Sequence, residues 1–306
     1  MVLPRRPTRF FSERLLLDAD LYLPGRPTPD DRRPGVVICS GYTGLKDIHP
    51  ARFARALCPA GPVCLAFDYR GYGQSEGERG RLVPVDQVRD LRAAVTYLST
   101  LDEVDPDRIA VIGWALGGGI AVAEASEDER VRAVATVNGV GDGERATRFV
   151  HSEDSWRRLL GRIDDDRRRR VLVGRSEIVD PFEIVHLDEL TRSYVDAELY
   201  RVPGFGTGVT LESADALLRF RPELYVDRIA PRPLLIIHAA EDKLNPADES
   251  RELHRRAGGH GELVLLEGRG HTEWMYSEHP AFRRVADLLV DFLAGALDFE
   301  PIRESA

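Results

Sequence analysis

The fold is decided by residues 112–119, which read IGWALGGG. An apolar run at 109–114 leads into this stretch, and residues 116–126 have the periodicity of an apolar helix, so the chain turns sharply from strand to helix. Glycines at 113 and 117 leave room for a tight turn that exposes its middle side chain. In a Gly-x-Ser-x-Gly turn the middle residue is a serine nucleophile, whereas this chain has Ala115. This stretch, here called the elbow, keeps everything except the hydroxyl group.

On both sides of the elbow, short apolar runs alternate with longer helical patterns. Such alternation predicts an α/β fold in which a mainly parallel central sheet is flanked by helices. We predict strands at 35–40, 63–67, 109–114, 131–137, 234–239 and 262–266, and helices at 49–57, 85–99, 116–126 and 281–293. Weak alternation at 14–23 predicts an antiparallel hairpin at the edge of the sheet.

The alternation stops between about residues 139 and 230, where Arg-rich helical segments replace the strands. We therefore assign 1–140 and 229–306 to the core and 141–228 to a helical lid insertion. Ligands of open α/β sheets bind outside the carboxyl ends of the strands, so an insertion leaving from such an end is expected to cover the elbow. Alternatively, its apolar helices, predicted at 188–199 and 212–220, pack only on one another or form the face of a homodimer.

An acid and a histidine follow two later strands. Glu241 and Asp242 come after the strand at 234–239, and His271 comes after the strand at 262–266. These are the places where this architecture carries its orienting acid and its base. We assign the acid to Asp242, with Glu241 as the alternative, and the base to His271.

The loop SGYTG at 40–44 follows the first predicted parallel strand. It can direct the backbone N–H of Tyr42, together with that of Leu116, at a developing oxyanion. Trp114, Leu116 and Trp274 flank the elbow and the base, and they predict an apolar pocket floor. Such a pocket favours a small to medium apolar acyl substrate.

Six ordered motifs together resemble the α/β-hydrolase superfamily, and in particular its X-prolyl dipeptidyl-peptidase-like and dienelactone-hydrolase-like branch. The resemblance implies the α/β-hydrolase fold, with Asp242 as acid and His271 as base, in the chain order typical of that fold. Ala115 departs from the pattern. The motifs are LYLP at 21, SGYTGLKD at 40, FDYRGYGQSEG at 67, GWALGGG at 113, HAAEDKLNP at 238 and GRGH at 268.

Other site types find little support in the sequence. Gly113, Gly117 and Gly119 resemble a dinucleotide-binding loop, but that loop belongs after the first strand and requires an acid at the end of the next. The histidines have no spacing typical of metal ligands. Tyr42 and Lys46 have the spacing of a reductase pair but lie in a glycine-rich loop rather than on a downstream helix. We expect neither a cofactor nor a metal.

The net charge of -9 argues against a nucleic-acid partner. The basic run at 167–170 follows three aspartates at 164–166, which favours ion pairs along a helix. No apolar run approaches the roughly 20 residues needed to span a bilayer, and the start of the sequence has no signal-peptide core. Three cysteines without metal-ligand spacing favour free thiols and a cytoplasmic location.

Three functional hypotheses follow from this sequence. The first is an ester or thioester hydrolase, or an acyl transferase, in which Ala115 replaces the nucleophilic serine. The second is an enzyme that naturally lacks a nucleophile, such as a lyase, cyclase, decarboxylase or cofactor-free oxygenase, and uses His271 and Asp242 as a general base. The third is a non-catalytic binding protein that retains the pocket.

Overall fold

A computed structural model describes residues 3–25 and 32–302 of the chain. The positions 1–2, 26–31 and 303–306 of the predicted core lie outside the described residues. The strands are β1 (Arg5–Ser12), β2 (Leu15–Tyr22), β3 (Arg33–Cys39), β4 (Val63–Phe67), β5 (Val104–Trp114), β6 (Val131–Val137), β7 (Ile178–Val179), β8 (Val209–Thr210), β9 (Leu234–Ala239) and β10 (Glu262–Leu266). The α-helices are α1 (His49–Leu57), α2 (Pro84–Ser99), α3 (Leu116–Ala125), α4 (Gly143–Phe149), α5 (Glu153–Val173), α6 (Pro181–Ile184), α7 (Glu189–Glu198), α8 (Leu211–Leu218), α9 (Asp248–Arg256) and α10 (Pro280–Leu297).

Eight strands form one sheet in the order β1-β2-β4-β3-β5-β6-β9-β10. All neighbouring pairs from β4 to β10 are parallel, whereas β2 is antiparallel to both β1 and β4. The chain therefore has the mainly parallel central sheet that the alternating pattern predicted, in the arrangement of the α/β-hydrolase fold that the resemblance implied.

Helices cover the sheet, which explains why the central strands are continuously apolar. Every residue of β4 and of β9 is buried, as expected for parallel strands covered on both faces. Helices α1 and α10 pack on each other, and α2 packs on α3, with each pair also contacting strands of the sheet. The carboxyl ends of the parallel strands thus meet at one rim, where loops can assemble a site.

The edge hairpin differs from the prediction. Residues 14–23 form only its second strand, β2, which pairs along its whole length with β1. The turn between them contains Glu13 at a positive φ of 55°. The prediction missed β1 because this edge strand is largely exposed and contains arginines and a proline, so it carries little apolar signal.

The segment that sequence analysis assigned to a lid, residues 141–228, lies between β6 and β9 and is called the insertion below. It contains the helices α4 to α8 and also an antiparallel pair of short strands, β7 and β8, which the sequence did not predict. A small apolar cluster of its own includes Trp156, Ile163 and Val209. Within the described residues, no helix is long and apolar enough to cross a membrane.

Candidate active site

The elbow holds Ala115 in an unusual backbone conformation between β5 and α3. Its φ of 51° and ψ of -119° lie in a region that side-chain-bearing residues rarely adopt. The Ala115 N–H donates to the carbonyl of Val137 at 2.9 Å, and the Ala115 carbonyl accepts from Gly118 and Val140. Such a conformation costs about 1–3 kcal/mol and persists only where the surroundings impose it. Neighbouring backbone groups therefore fix the Cβ of residue 115 at the apex of the turn.

Two glycines make this turn possible by allowing close backbone approach. A Cβ on Gly113 would collide with the carbonyl oxygen of Gly117. A Cβ on Gly117 would collide with the carbonyl oxygen of Ser40, at the start of the loop that carries Tyr42. The same glycines thus shape the elbow and bring that loop against it.

The structure brings Asp242 and His271 together. Nδ1 of His271 lies 2.6 Å from Oδ2 of Asp242, and both residues are buried. Oδ1 of Asp242 accepts from the backbone N–H groups of Leu244 and Asn245 at 2.8 Å each. A carboxylate held in this way orients the imidazole with its Nδ1–H donated, which leaves Nε2 for a substrate. Glu241 is exposed, and its backbone N–H donates to the carbonyl of Arg269. Its side chain has no hydrogen-bond partner among the described residues.

Asn138, which sequence analysis did not select, connects the loops that carry the acid and the base. Its side chain donates to the carbonyl of His271 at 3.1 Å and accepts from the N–H of Ala239 at 2.9 Å. Its own carbonyl accepts from the side chain of Asn245. The available signal was an asparagine directly after β6, because asparagine tolerates the positive φ of 52° found here.

The two predicted oxyanion donors lie beside Ala115. A Cβ built on Gly41 would be 3.2 Å from the Cβ of Ala115, so the loop touches the elbow directly. Neither the Tyr42 N–H nor the Leu116 N–H is hydrogen-bonded to a described residue. Because Leu116 begins α3, its N–H also lies at the electropositive end of that helix. These groups can stabilise a developing negative charge.

A cavity of about 90 Å³ borders Ala115 and His271, with room for several water molecules. Trp114 and Leu116 line it from the core. The insertion supplies most of the remaining apolar wall, including Phe182, Val185, Leu187, Val195, Leu199 and Leu217. The hydroxyl of Tyr42 donates to the carbonyl of Pro181 at 3.2 Å, which joins the loop at 40–44 to the insertion.

Trp274 was wrongly predicted as a pocket residue. It is fully buried and does not line the cavity. Its indole packs edge-on against Trp114, with 5.9 Å between the ring centroids, and its Nε1–H donates to the carbonyl of Gly270. Trp274 thus supports the wall from behind. By contrast, His49, which was not predicted, does line the cavity.

Lys46, which has the sequence spacing of a reductase pair with Tyr42, is engaged by buried carboxylates below the loop at 40–44. Nζ of Lys46 lies 2.5 Å from Oδ2 of the buried Asp20, and its backbone N–H donates to Asp68. Burial raises the pKa of Asp68 to about 6, although the contacts with Lys46 oppose that shift. Lys46 therefore stabilises the carboxyl-terminal end of the loop at 40–44. Across residues 3–25 and 32–302, no group of three or more His, Cys, Asp or Glu side chains is arranged to hold a metal ion.

Comparisons with known proteins agree with this architecture. A family model described as serine aminopeptidase, S33, matches residues 30–275. Acyltransferase drtE of Aspergillus calidoustus is 27% identical over 306 residues, covering 95% of this chain and 94% of that protein. A thiohydrolase of Eupenicillium brefeldianum is 24% identical over 254 residues, covering 79% and 80%. The crystal structure of hypothetical protein PA2218 from Pseudomonas aeruginosa superposes with a TM-score of 0.80 at 26% identity, covering 95% and 94%.

Proposed function

The chain belongs to the α/β-hydrolase family described as serine aminopeptidase, S33, and on that premise we propose an acyl-transfer active site in which Ala115 stands at the nucleophile position. The proposed parent reaction is hydrolysis of an ester or thioester, or transfer of its acyl group. One observation carries the proposal. Ala115 keeps the strained φ of 51° of a nucleophile turn, and it lines one cavity together with His271, which is paired with Asp242. The N–H groups of Tyr42 and Leu116 have no partner among the described residues.

Each group has a role in that chemistry. A serine hydroxyl at position 115 would attack the acyl carbon while Nε2 of His271 takes its proton. The N–H groups of Tyr42 and Leu116 would stabilise the tetrahedral oxyanion, and His271 would return the proton to the leaving group. Water, or an acceptor alcohol in a transferase, would then release the acyl group. With Ala115, no acyl-enzyme forms and the substrate is bound without this turnover.

The substrate class follows from the cavity and the relatives. The wall of the cavity is predominantly apolar and includes Ala115 and His271. Such a wall favours a small to medium apolar acyl group. The relatives named acyltransferase and thiohydrolase favour acyl esters and thioesters. In this proposal the insertion acts as a lid whose side chains select the acyl group.

The retained base supports a second candidate function. His271, Asp242 and the oxyanion donors are intact in a chain that has no nucleophile at the elbow. The pair could act alone as general base on an acidic C–H or O–H of a bound substrate, with the developing anion held by the N–H groups of Tyr42 and Leu116. In that case His271→Ala abolishes the activity of the Ala115 protein itself, and an activity that survives this change excludes the mechanism.

Restoring the hydroxyl tests the main proposal. Ala115→Ser adds one oxygen to a Cβ that already occupies the turn, so we expect hydrolysis of activated esters and thioesters to appear. Loss of a nucleophile in a comparable triad costs about a million-fold in kcat, so the gain should be large. Turnover of a panel of p-nitrophenyl esters and acyl thioesters measures it. Ala115→Gly is the matched control, because it keeps the turn and supplies no hydroxyl; background rates in both variants would contradict the proposal.

A further inference from the structure

A second imidazole, that of His49, lies in the wall of the cavity. His49 begins α1 and is 5% exposed. Its ring centroid is 4.8 Å from that of Trp114, and the Trp114 centroid is 5.1 Å from that of His271. The two imidazoles therefore lie within about 10 Å of each other, the sum of these distances. A substrate at the elbow would reach His49 with a more distant part of the same molecule.

One ring nitrogen of His49 has no hydrogen-bond partner among the described residues. Nε2 lies 3.4 Å from the hydroxyl of Tyr194, which also accepts from Nη1 of Arg52 at 3.1 Å. Nδ1 forms no hydrogen bond within the part of the chain that the structure describes. Nδ1 is not among the buried polar atoms that lack a partner, so water or a ligand can reach it. Because His49 lines the cavity, a molecule bound there can supply that partner.

The charge state of His49 restricts the kind of partner. Burial lowers the pKa of His49 well below its usual value, and the nearby guanidinium of Arg52 adds to the effect. The ring is therefore neutral near pH 7, with one donor and one acceptor. A neutral imidazole in an apolar cavity compensates poorly for a buried carboxylate or ammonium group. A hydroxyl group suits it whichever nitrogen carries the hydrogen, because a hydroxyl both donates and accepts.

We propose that His49 binds a hydroxyl group on the acyl chain of the substrate, so that the site selects hydroxyacyl esters or thioesters over plain alkyl ones. This inference rests on the proposed acyl-transfer function and adds the substrate class. In it, His49 determines specificity, and the His271–Asp242 pair acts at the carbonyl end of the same molecule.

Direct binding to the Ala115 protein tests the inference without requiring turnover. The probes are ethyl hexanoate and its derivatives with one hydroxyl at carbon 3, 5 or 6, titrated by calorimetry or ligand-observed NMR. One hydrogen bond made in a buried site is worth roughly tenfold in affinity. We therefore expect at least one hydroxylated ester to bind about tenfold more tightly than ethyl hexanoate.

Three variants separate recognition by His49 from packing. His49→Phe keeps an aromatic ring beside Trp114 and removes both nitrogens, so the hydroxyl preference should disappear. His49→Asn places an amide near the position of Nδ1 and should keep part of the preference, which a purely structural role would not predict. His254→Phe removes an imidazole on α9 that does not line the cavity, and it should leave the preference intact.

The outcomes are distinguishable. If the esters bind but no hydroxylated ester is preferred, or if His49→Phe keeps the preference, this inference is wrong while the proposed function stands. Absence of binding by any ester overturns both this inference and the assigned substrate class. If the hydroxyl preference is present but Ala115→Ser gives no hydrolysis, the recognition by His49 stands and the acyl-transfer chemistry fails.

Discussion

The elbow and the insertion line the same cavity, yet they are held in place by different forces. Around Ala115, backbone hydrogen bonds and glycines that permit close contact define the geometry. In the insertion, side chains far apart in sequence hold the helices together, through a small apolar cluster and arginine–carboxylate pairs between helices. Local backbone constraints can be inferred from a short motif, whereas long-range side-chain pairs cannot. The elbow should therefore tolerate substitution far less than the insertion.

The largest expected effect is on kcat, when His271 or Asp242 is replaced. In the Ala115→Ser protein, His271→Ala should lower kcat by about a million-fold, because it removes the general base. Asp242→Asn should lower kcat by about ten-thousand-fold, because the imidazole remains but is no longer held in the correct tautomer. Ester hydrolysis under saturating substrate measures both. Glu241→Gln is the control, since Glu241 is exposed beside Asp242; a comparable loss in that variant would move the acid to Glu241.

Replacing a glycine by alanine should destabilise the protein in the elbow and stabilise it in the insertion. Gly113→Ala forces a Cβ into the Gly117 carbonyl, so we expect a loss of about 3 kcal/mol or more in the free energy of unfolding. Gly161→Ala lies in the middle of α5, where a Cβ meets nothing within 4 Å, and should stabilise by up to about 1 kcal/mol. Urea denaturation measures both. Equal effects would remove the distinction between the two regions.

Smaller changes should follow when the charged contacts of the insertion are altered. The carboxylate of Asp215 on α8 accepts two hydrogen bonds from Arg167 and one from Arg170, both on α5. Its side chain is 11% exposed, against 54% for Asp164, which also pairs with Arg167. Asp215→Asn should therefore cost about 1–3 kcal/mol, and Asp164→Asn less than about 1 kcal/mol. Denaturant titration of the two variants tests the ranking, and an equal loss would contradict it.

The carboxylate of Asp215 makes the stability of the protein depend on pH, and the direction of its pKa shift gives the sign of that dependence. The hydrogen bond from Arg167 is the main reason that the pKa of Asp215 lies below its usual value, against the opposing effect of burial. The stabilisation is thus present at neutral pH and is lost as the pH falls through this lowered pKa. The stability difference between the parent and Asp215→Asn should shrink in acid. A difference that stays constant from pH 7 to pH 3 would show that the pairing contributes nothing.

Particular residues show how far the sequence could predict the site. Gly113, Ala115 and the order of Asp242 and His271 were recognisable because local sequence around strand ends specifies them. Trp274 was misassigned because its position beside His271 in sequence does not reveal that its ring packs behind Trp114. Asn138 and His49 were missed because their partners are 133 and 145 positions away along the chain. Only the folded sheet brings those partners together.

The sequence by itself determined the mainly parallel α/β architecture, the sharp turn at Ala115 and the absence of a hydroxyl there. Those features depend on hydrophobic periodicity and on glycines, which act over a few residues. Tertiary structure alone decided that Asp242 rather than Glu241 meets His271, and that the insertion and His49 line the cavity. The physical reason is that side-chain contacts between distant segments depend on how strands and helices pack, which no local pattern encodes.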